Sequence, residues 1–494
     1  MILLRGRKGQ YMINGKVFLV GAGPGDIGLI TLKGIEAINK ADVIFYDRLA
    51  NPKLLEFAPN HCELIYCGKL PERHTMRQEK INQMLVDKAR DGNTVVRLKG
   101  GDPGVFGRVG EEAIVLAENG IPFEIIPGIS SGLAAPLYAG IPVTHREFGE
   151  TFAVVTAHDK SEDGVPLLEW RGLATSIDTI AFYMGIANLG HICENLIKHG
   201  RAETTPVLLI QWGTFGRQKT LEGTLATIAR MAEETNFQNP AITLVGDIVS
   251  LRSKMNWFEK KPLFGRQILL ARTGVGQSKL AQELSTLGAD VYEFPKWKKK
   301  PLPADKRILN RLETYERILF TSPESTDDFF AILIEEGIDV RNIKAKLYGL
   351  SQKSIQALKQ KGLLAQKKEE MEFCGKYLIV GDNRYCPENE TGDFFQMSQI
   401  EIDVQFDQAL KLMFQEAKVD TVIFPSSLSV EKFLQEAERT KIFAKDLWSQ
   451  AIVLCMGEQT AMRAVSCGIK PDIVLKKPEK NLVIESLLKG KSRS

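Results

Sequence analysis

The sequence predicts an α/β protein made of two successive α/β series. Three observations predict it. Short apolar runs alternate with helix-like segments along both halves of the chain. Small-residue loops follow three of the early runs, and in a parallel sheet such loops meet at one edge, where ligands bind. In the second half one strand–turn–helix pattern occurs twice.

The first run, residues 17–20, leads into Gly21-Ala22-Gly23-Pro24-Gly25-Asp26, and a second run, 43–46, ends on Asp47. This layout approaches a dinucleotide site without matching it. The fingerprint needs G-x-G-x-x-G, whose third glycine lets the helix pack on the strand. Here the third glycine comes one residue early and Asp26 takes its place. Pro24 removes a donor from the loop, and Asp26 puts negative charge where a pyrophosphate would approach. A nicotinamide site and a turn needed only for packing stand about level, and a cofactor without phosphates fits such a loop better than either.

Further strands are expected at 95–98, 123–126, 152–155, 179–182 and 207–210. A second loop, Gly100-Gly101-Asp102-Pro103-Gly104-Val105-Phe106-Gly107-Arg108, follows the first of these, and Pro127-Gly128-Ile129-Ser130-Ser131 follows the next. Small residues there let a ligand reach backbone N–H and C=O groups. Turn chemistry alone accounts for one such loop better than for three.

The predicted organisation is an extension over 1–14, a first domain over 15–252 with subdomains divided near residue 140, a linker over 253–265, and a second domain over 266–490 that opens with a strand at 267–270. In the second domain "ERILFTSPESTDDFF" from Glu316 resembles "DTVIFPSSLSVEKFL" from Asp420. "SQKSIQALKQKG" from Ser351 resembles "GEQTAMRAVSCG" from Gly457, in the same order, which indicates two related lobes.

Composition excludes several classes. With 494 residues the chain is too long for one core. A net charge of +3 is too small to indicate a nucleic-acid binder. The run Lys298-Lys299-Lys300 is expected in a solvated loop before Pro301 and Pro303. Seven cysteines show no C-x-x-C pair and no metal-ligand spacing, which fits a reduced, cytoplasmic setting without a metal. The N-terminus has no apolar region of signal-peptide length. The uncharged stretch 125–144 holds Pro127, Pro136 and Pro142, so a membrane span is rejected. All six histidines lie before residue 200, which excludes a Ser-His-Asp centre in the second half.

"VGAGPGD", "ADVIFYDRL", "VVRLKGGDPGVFGRVGEE", "PGISS" and "GIPVTHR" resemble the uroporphyrinogen-III C-methyltransferases of the tetrapyrrole methylase family. The resemblance implies the tetrapyrrole methylase fold of two α/β subdomains, a homodimer, and S-adenosylmethionine (SAM) as methyl donor. The reaction it implies is double methylation of uroporphyrinogen III, at C2 and C7, to precorrin-2, on the route to sirohaem and cobalamin. It implies SAM contacts at Pro24, Gly100, Gly101, Asp102, Val105, Ser130, Ser131, Met184 and Gly213. Met184 offers a soft apolar face for adenine, or is a core residue after a strand. Asp102 accepts from a ribose hydroxyl or the SAM amino group, or closes an Asx-turn. Asp47 matches the family's proton acceptor and Lys69 its proton donor, although Lys69 serves equally as a cation for the substrate carboxylates. Arg73, His74, Arg97, His145 and Arg146 are further candidates for those carboxylates. Gly104 and the middle of "KLPERHT" depart from the family pattern.

The second half resembles uroporphyrinogen-III synthase through "ILLARTG", "LGADVYEFP", "ILFTSPES" and "VIFPSSLSVEKFL". This implies a two-lobed α/β domain that closes hydroxymethylbilane without a cofactor. Candidate contacts are Arg272, Thr321, Ser322, Ser426, Ser427 and Thr460, with helix capping as the competing role of the hydroxyls. The stretch "IEIDVQFD" departs from the synthase pattern, so an inactive C-terminal module stays open. An NAD-dependent dehydrogenase, and a methyltransferase of the same family acting on rRNA or a protein side chain, stay open beside it. The expected partners are tetrapyrrole substrates, with no nucleic acid and no membrane.

Overall fold

The structure is a computed structural model that describes residues 4–5, 11–12, 15–68, 77–157, 167–372, 375–387, 392–443 and 447–490. The first sheet is built from β1 (Lys16–Gly21), β2 (Val43–Tyr46), β3 (Glu63–Tyr66), β4 (Thr94–Lys99) and β5 (Phe123–Ile126). All five are parallel, in the order β3-β2-β4-β1-β5. Apolar clusters lie on both faces, so β2 is a continuous buried run with no polar alternation. Helix α1 (Val109–Glu118) follows β4, and α2 (Ser131–Tyr138) follows β5. Because β4, β1 and β5 are neighbours, their loops emerge side by side.

A second sheet contains β6 (Phe152–Thr156), β7 (Thr179–Tyr183), β8 (Pro206–Gln211), β9 (Lys219–Thr224) and β10 (Ala241–Val245), in the order β9-β8-β10-β7-β6. Only β6 and β7 pair in parallel. The uncharged stretch 125–144 divides among β5, a loop, α2 and a turn, and no helix of the described residues is long and apolar enough to cross a membrane.

The segment 253–265 is largely exposed but anchored at two buried residues. Phe258 and Leu263 are buried, and the Glu259 carboxylate accepts from Arg252, Asn256 and Gln218. Its composition resembles a linker, and Met255 and Trp257 are indeed exposed, but Phe258 and Leu263 each enter a core.

The chain forms two compact units. One comprises Met1–Arg272, Gln277–Phe294 and Gln405–Ser494, and the other Thr273–Gly276 and Pro295–Val404. The first unit continues with β11 (Gln267–Ala271) and β12 (Asp290–Phe294). The second unit holds β13 (Trp297–Pro301), β14 (Arg317–Phe320), helix α3 (Pro323–Glu335), β15 (Lys346–Gly349), β16 (Gln366–Lys367), β17 (Tyr377–Asp382) and β18 (Asp393–Ile402). Its sheet runs β13-β18-β17-β14-β15-β16. The first unit resumes with α4 (Asp407–Glu416), β19 (Thr421–Phe424), α5 (Ser427–Thr440), β20 (Ile452–Cys455) and β21 (Ile473–Val474), giving a parallel sheet β12-β11-β19-β20-β21. The two sequence repeats are β14–α3 and β19–α5, one in each unit.

Lys298, Lys299 and Lys300, expected in a solvated loop, instead lie in β13 and pair antiparallel with β18. Lys299 bonds to Asp328, and Lys298 Nζ lies 3.4 Å from Glu401 Oε1. A charged strand at the rim of a sheet discourages pairing with another chain, and it reads from sequence as a loop.

Candidate active site at the carboxyl edge of the first sheet

The three loops meet backbone to backbone. A Cβ on Gly128 would stand 2.4 Å from the Gly101 carbonyl oxygen, and one on Gly21 2.6 Å from the Gly128 nitrogen. Gly23 and Gly101 exchange backbone bonds of 3.2 and 2.8 Å, both with positive φ. Asp102 ties the assembly: Oδ1 accepts from the Gly104 N–H at 2.7 Å and Oδ2 from the Gly128 N–H at 3.0 Å. The carboxylate has lone pairs beyond those two bonds. A notional Cβ on Gly101 would make only ordinary contacts, the nearest at 3.8 Å.

Asp26 fills the place where a phosphate would sit. Its Oδ1 accepts from the Gly28 N–H at 2.9 Å and its Oδ2 from the Tyr138 hydroxyl at 2.8 Å. Burial and the Asp26 charge together push the Tyr138 phenol above its ordinary range. A polyanion meets a carboxylate here, which is the physical ground for discarding a dinucleotide.

Asp47 stands just beyond β2. Its Oδ1 accepts from the Leu49 and Ala50 N–H groups at 3.1 and 3.2 Å, closing a tight turn. Its Oδ2 lies 3.6 Å from Arg97 Nη2. Arg97 and Lys99 are two residues apart on β4 and so share a face. Each is 4% exposed, and both reach Glu112 in the first turn of α1, which is fully buried. Glu112 Oε1 accepts from Arg97 Nε at 3.2 Å, Lys99 Nζ at 2.8 Å and Gln78 Nε2 at 3.1 Å, while its Oε2 has no partner. Burial and the neighbouring Arg97 push Lys99 below the usual lysine range. Burial also opposes the charge on Arg97, but Asp47 and Glu112 outweigh it and hold that group above its usual value.

The second sheet supplies the facing loops. The Tyr183 hydroxyl lies 2.6 Å from Ser130 Oγ and also accepts from the Gly132 N–H. The Phe106 ring meets Tyr183 edge-on at 5.2 Å. Met184 is 45% exposed at φ 56°. Gly213 packs so closely on α2 that a Cβ would come within 2.4 Å of Ala135 Cβ. Thr214 Oγ1 accepts from the Asp26 N–H at 2.9 Å, joining this loop to the first glycine loop. Phe106, Arg108, Met184, Trp212 and Thr214 all have positive φ without being glycine. Such strain gathers at functional sites, and it marks this edge independently of the glycines.

The expected residues are therefore distributed unevenly. Pro24, Gly100, Gly101, Asp102, Val105, Ser130, Ser131, Met184 and Gly213 fall on these converging loops. His145 and Arg146 sit on the turn before β6, where His145 Nδ1 accepts from the Glu147 N–H at 3.1 Å. Lys69, Arg73 and His74 lie outside the described residues. In the C-terminal half, Ser322 caps α3 by accepting from the Ser325 N–H, and Ser426 caps α5 through a capping box with Ser429. Ser427 is the first residue of α5. Thr321 donates to the Val380 carbonyl at 3.1 Å, Thr460 is buried, and Arg272 Nε lies 3.0 Å from Glu293 Oε1. Thr321 and Ser322 belong to one unit, Arg272, Ser426, Ser427 and Thr460 to the other.

Sequence reasoning passed over Glu112, Lys99 and Tyr183. A signal for Glu112 was available: two cations alternating on a buried strand require a buried anion.

Comparisons with known proteins agree with this geometry. The model of the Tetrapyrrole (Corrin/Porphyrin) Methylases matches residues 16–229. That of Uroporphyrinogen-III synthase HemD matches residues 399–485. A Uroporphyrinogen-III C-methyltransferase of Bacillus subtilis is 47% identical over 459 residues, 92% of this chain and 94% of that protein. A Porphyrin biosynthesis protein HemD of Ruminiclostridium josui is 39% identical over 383 residues, 77% of this chain and 76% of that protein. Among solved structures, a Uroporphyrin-III C-methyl transferase from Thermus thermophilus complexed with S-adenyl homocysteine is 36% identical, with 48% of this chain and 100% of that one covered and a TM-score of 0.41. Identity of this order along nearly the whole chain decides the matter: the chain belongs to the tetrapyrrole (corrin/porphyrin) methylase family and carries a uroporphyrinogen-III synthase-like region behind its methylase part.

Proposed function

We propose that this chain methylates uroporphyrinogen III at C2 and C7, with SAM as donor, to give precorrin-2, and that its C-terminal half closes hydroxymethylbilane to uroporphyrinogen III. The observation that carries the first part is Asp47, a carboxylate held by its own turn and backed by buried Arg97, at the same strand edge as the three-loop cradle. The cradle suits SAM: glycine loops that bring backbone groups to the edge, an apolar Met184 that is partly exposed, and carboxylates where a polyphosphate would need donors. SAM, when bound, supplies a methyl group on a sulfonium leaving group.

Asp102, with lone pairs to spare, and the Gly100–Gly101 backbone orient the donor, and Ser130, Ser131, Pro24, Val105 and Gly213 complete its walls. An electron-rich pyrrole carbon attacks in line, so placement supplies much of the acceleration. Asp47 Oδ2 takes the proton that the methylated carbon then loses. Arg97 is buried against Glu112, so we assign it to orienting Asp47, in place of the substrate-carboxylate role expected from sequence. His145 and Arg146 keep that role, as do Arg73 and His74, and Lys69 serves as the proton donor or as a further cation for the same carboxylates. The methylase part acts as a homodimer in the cytoplasm.

A second reading leaves the C-terminal half without catalysis, as a scaffold. It draws on Ala409 of α4, which is fully buried within the apolar cluster of the first sheet. One experiment tests both readings: the full chain is incubated with hydroxymethylbilane and SAM, and product mass, absorbance and isomer are followed. The proposal expects dimethylated type III product. Type III formation absent, with methylation of added uroporphyrinogen III intact, selects the scaffold. Tight NAD binding without SAM binding, measured by calorimetry, overturns the methylase assignment.

A further inference from the structure

Helix α4 begins two residues after the chain returns to the first unit at Gln405. It serves two cores. Ala409 is buried with Val20, Ile44 and Ile126 of the first sheet, while Leu410 is buried with Leu269 of β11 and Val422 of β19. Its last residue is Glu416. Glu416 Oε1 accepts from Arg48 Nη1 at 2.8 Å, and Oε2 lies 3.7 Å from Arg217 Nη2.

The two cations come from opposite subdomains, and each adjoins the site. Arg48 is in the turn that Asp47 closes. Arg217 ends the loop that carries Gly213 and Thr214, and Thr214 binds the first glycine loop. Arg217 is held firmly. Its guanidinium lies 4.2 Å from the Trp212 ring centroid, and Nη1 donates to the Tyr292 hydroxyl at 2.9 Å. Asp47, Arg48, Trp212, Arg217 and Glu416 line one pocket.

We propose that Glu416, a residue of the synthase-like half, is a positioning residue for methyl transfer. One carboxylate bridges a guanidinium from each methylase subdomain and so fixes the spacing between the Asp47 turn and the Gly213 loop. An exposed ion pair contributes little stability by itself, so the effect lies in geometry. Without Glu416, Arg48 loses the carboxylate that ties the Asp47 turn to the Gly213 loop, while Arg217 keeps Asp290, 3.7 Å from its Nε. The inference rests on the methylase reading above.

The test uses the full chain carrying Glu416→Gln, Glu416→Ala, Glu416→Asp, Arg48→Ala, or Arg48→Ala with Glu416→Ala. Two readouts are taken: turnover of uroporphyrinogen III with SAM, and S-adenosylhomocysteine affinity by calorimetry. Glu416→Gln and Glu416→Ala are expected to lower kcat about tenfold, part of the roughly hundredfold cost of a 1 Å misplacement. KM for uroporphyrinogen III stays within about twofold and S-adenosylhomocysteine binds about fivefold more weakly, because the Asp47 turn and the Gly213 loop are no longer tied to one carboxylate. Glu416→Asp recovers most of the loss, and the double variant is no slower than its slower parent. If kcat and S-adenosylhomocysteine affinity of the Gln and Ala variants both stay within about twofold of wild type, or the double variant multiplies the single losses, the brace is overturned. A wild-type chain that binds S-adenosylhomocysteine but does not methylate uroporphyrinogen III overturns the functional reading alone, and the affinity arm still decides the brace.

Discussion

The methylase edge and the C-terminal turns use similar small residues to opposite ends. At the first sheet, glycines let three loops touch backbone to backbone. In the repeats, Ser322 and Ser426 satisfy the first N–H groups of α3 and α5. One region keeps polar groups available for a ligand, and the other uses them to begin helices. A serine after a strand therefore says little about function until the partner of its hydroxyl is known.

Substitutions break or sharpen this contrast, with the largest effect expected in the buried charges beneath the methylase edge. Glu112→Ala leaves Arg97 and Lys99 buried without their shared anion, and thermal or denaturant unfolding should show about 3–5 kcal/mol of destabilisation. Asp47→Asn comes next. It should retain S-adenosylhomocysteine binding by calorimetry while turnover falls about a hundredfold or more; undiminished turnover removes Asp47 from the mechanism.

Gly128→Ala should force the cradle open, since its Cβ would stand 2.4 Å from a carbonyl oxygen. Overpacking of about 1–3 kcal/mol predicts roughly tenfold or greater loss of S-adenosylhomocysteine affinity. On the other side, Ser426→Ala should cost about 1 kcal/mol of stability, the usual value of an N-cap. If its main effect is instead on closure of hydroxymethylbilane, with unfolding unchanged, the serine serves substrate and the contrast fails.

The smallest effect is expected outside both regions. Bonds from Lys16 and Lys33 hold the Glu124 carboxyl at about 2, below its ordinary 4.5. A depressed carboxylate stabilises the fold above its unfolded pKa and loses that contribution as pH falls through the folded value. Wild type should exceed Glu124→Gln by under about 1 kcal/mol near neutrality, because the pair is largely solvated. The difference should vanish in acid unfolding as pH falls from 4.5 toward 2.

Much of the fold was legible because buried parallel strands are continuous apolar runs between glycine turns. β13 was not, since a charged rim strand and a solvated loop have the same composition. The segment 253–265 was not, because a connection anchored by two core residues reads like an open one. The glycine loops and Asp47 stood out as motifs after strands. Glu112 did not, because Glu111-Glu112 in a first helical turn is an ordinary solvated pattern, and only the sheet brings it under Arg97 and Lys99. Glu416 is 368 residues from Arg48, beyond any local periodicity.

Ala409 bears on how the protein is made. The apolar cluster of the first sheet includes a side chain from the far end of the chain. Chains emerge from the ribosome N-terminus first, and early domains begin folding while later ones are still being synthesised. The first sheet therefore waits, with one patch of its core uncovered, until the second sheet and most of the C-terminal half have been translated. A nascent chain stalled before α4 lacks the side chain that completes this cluster.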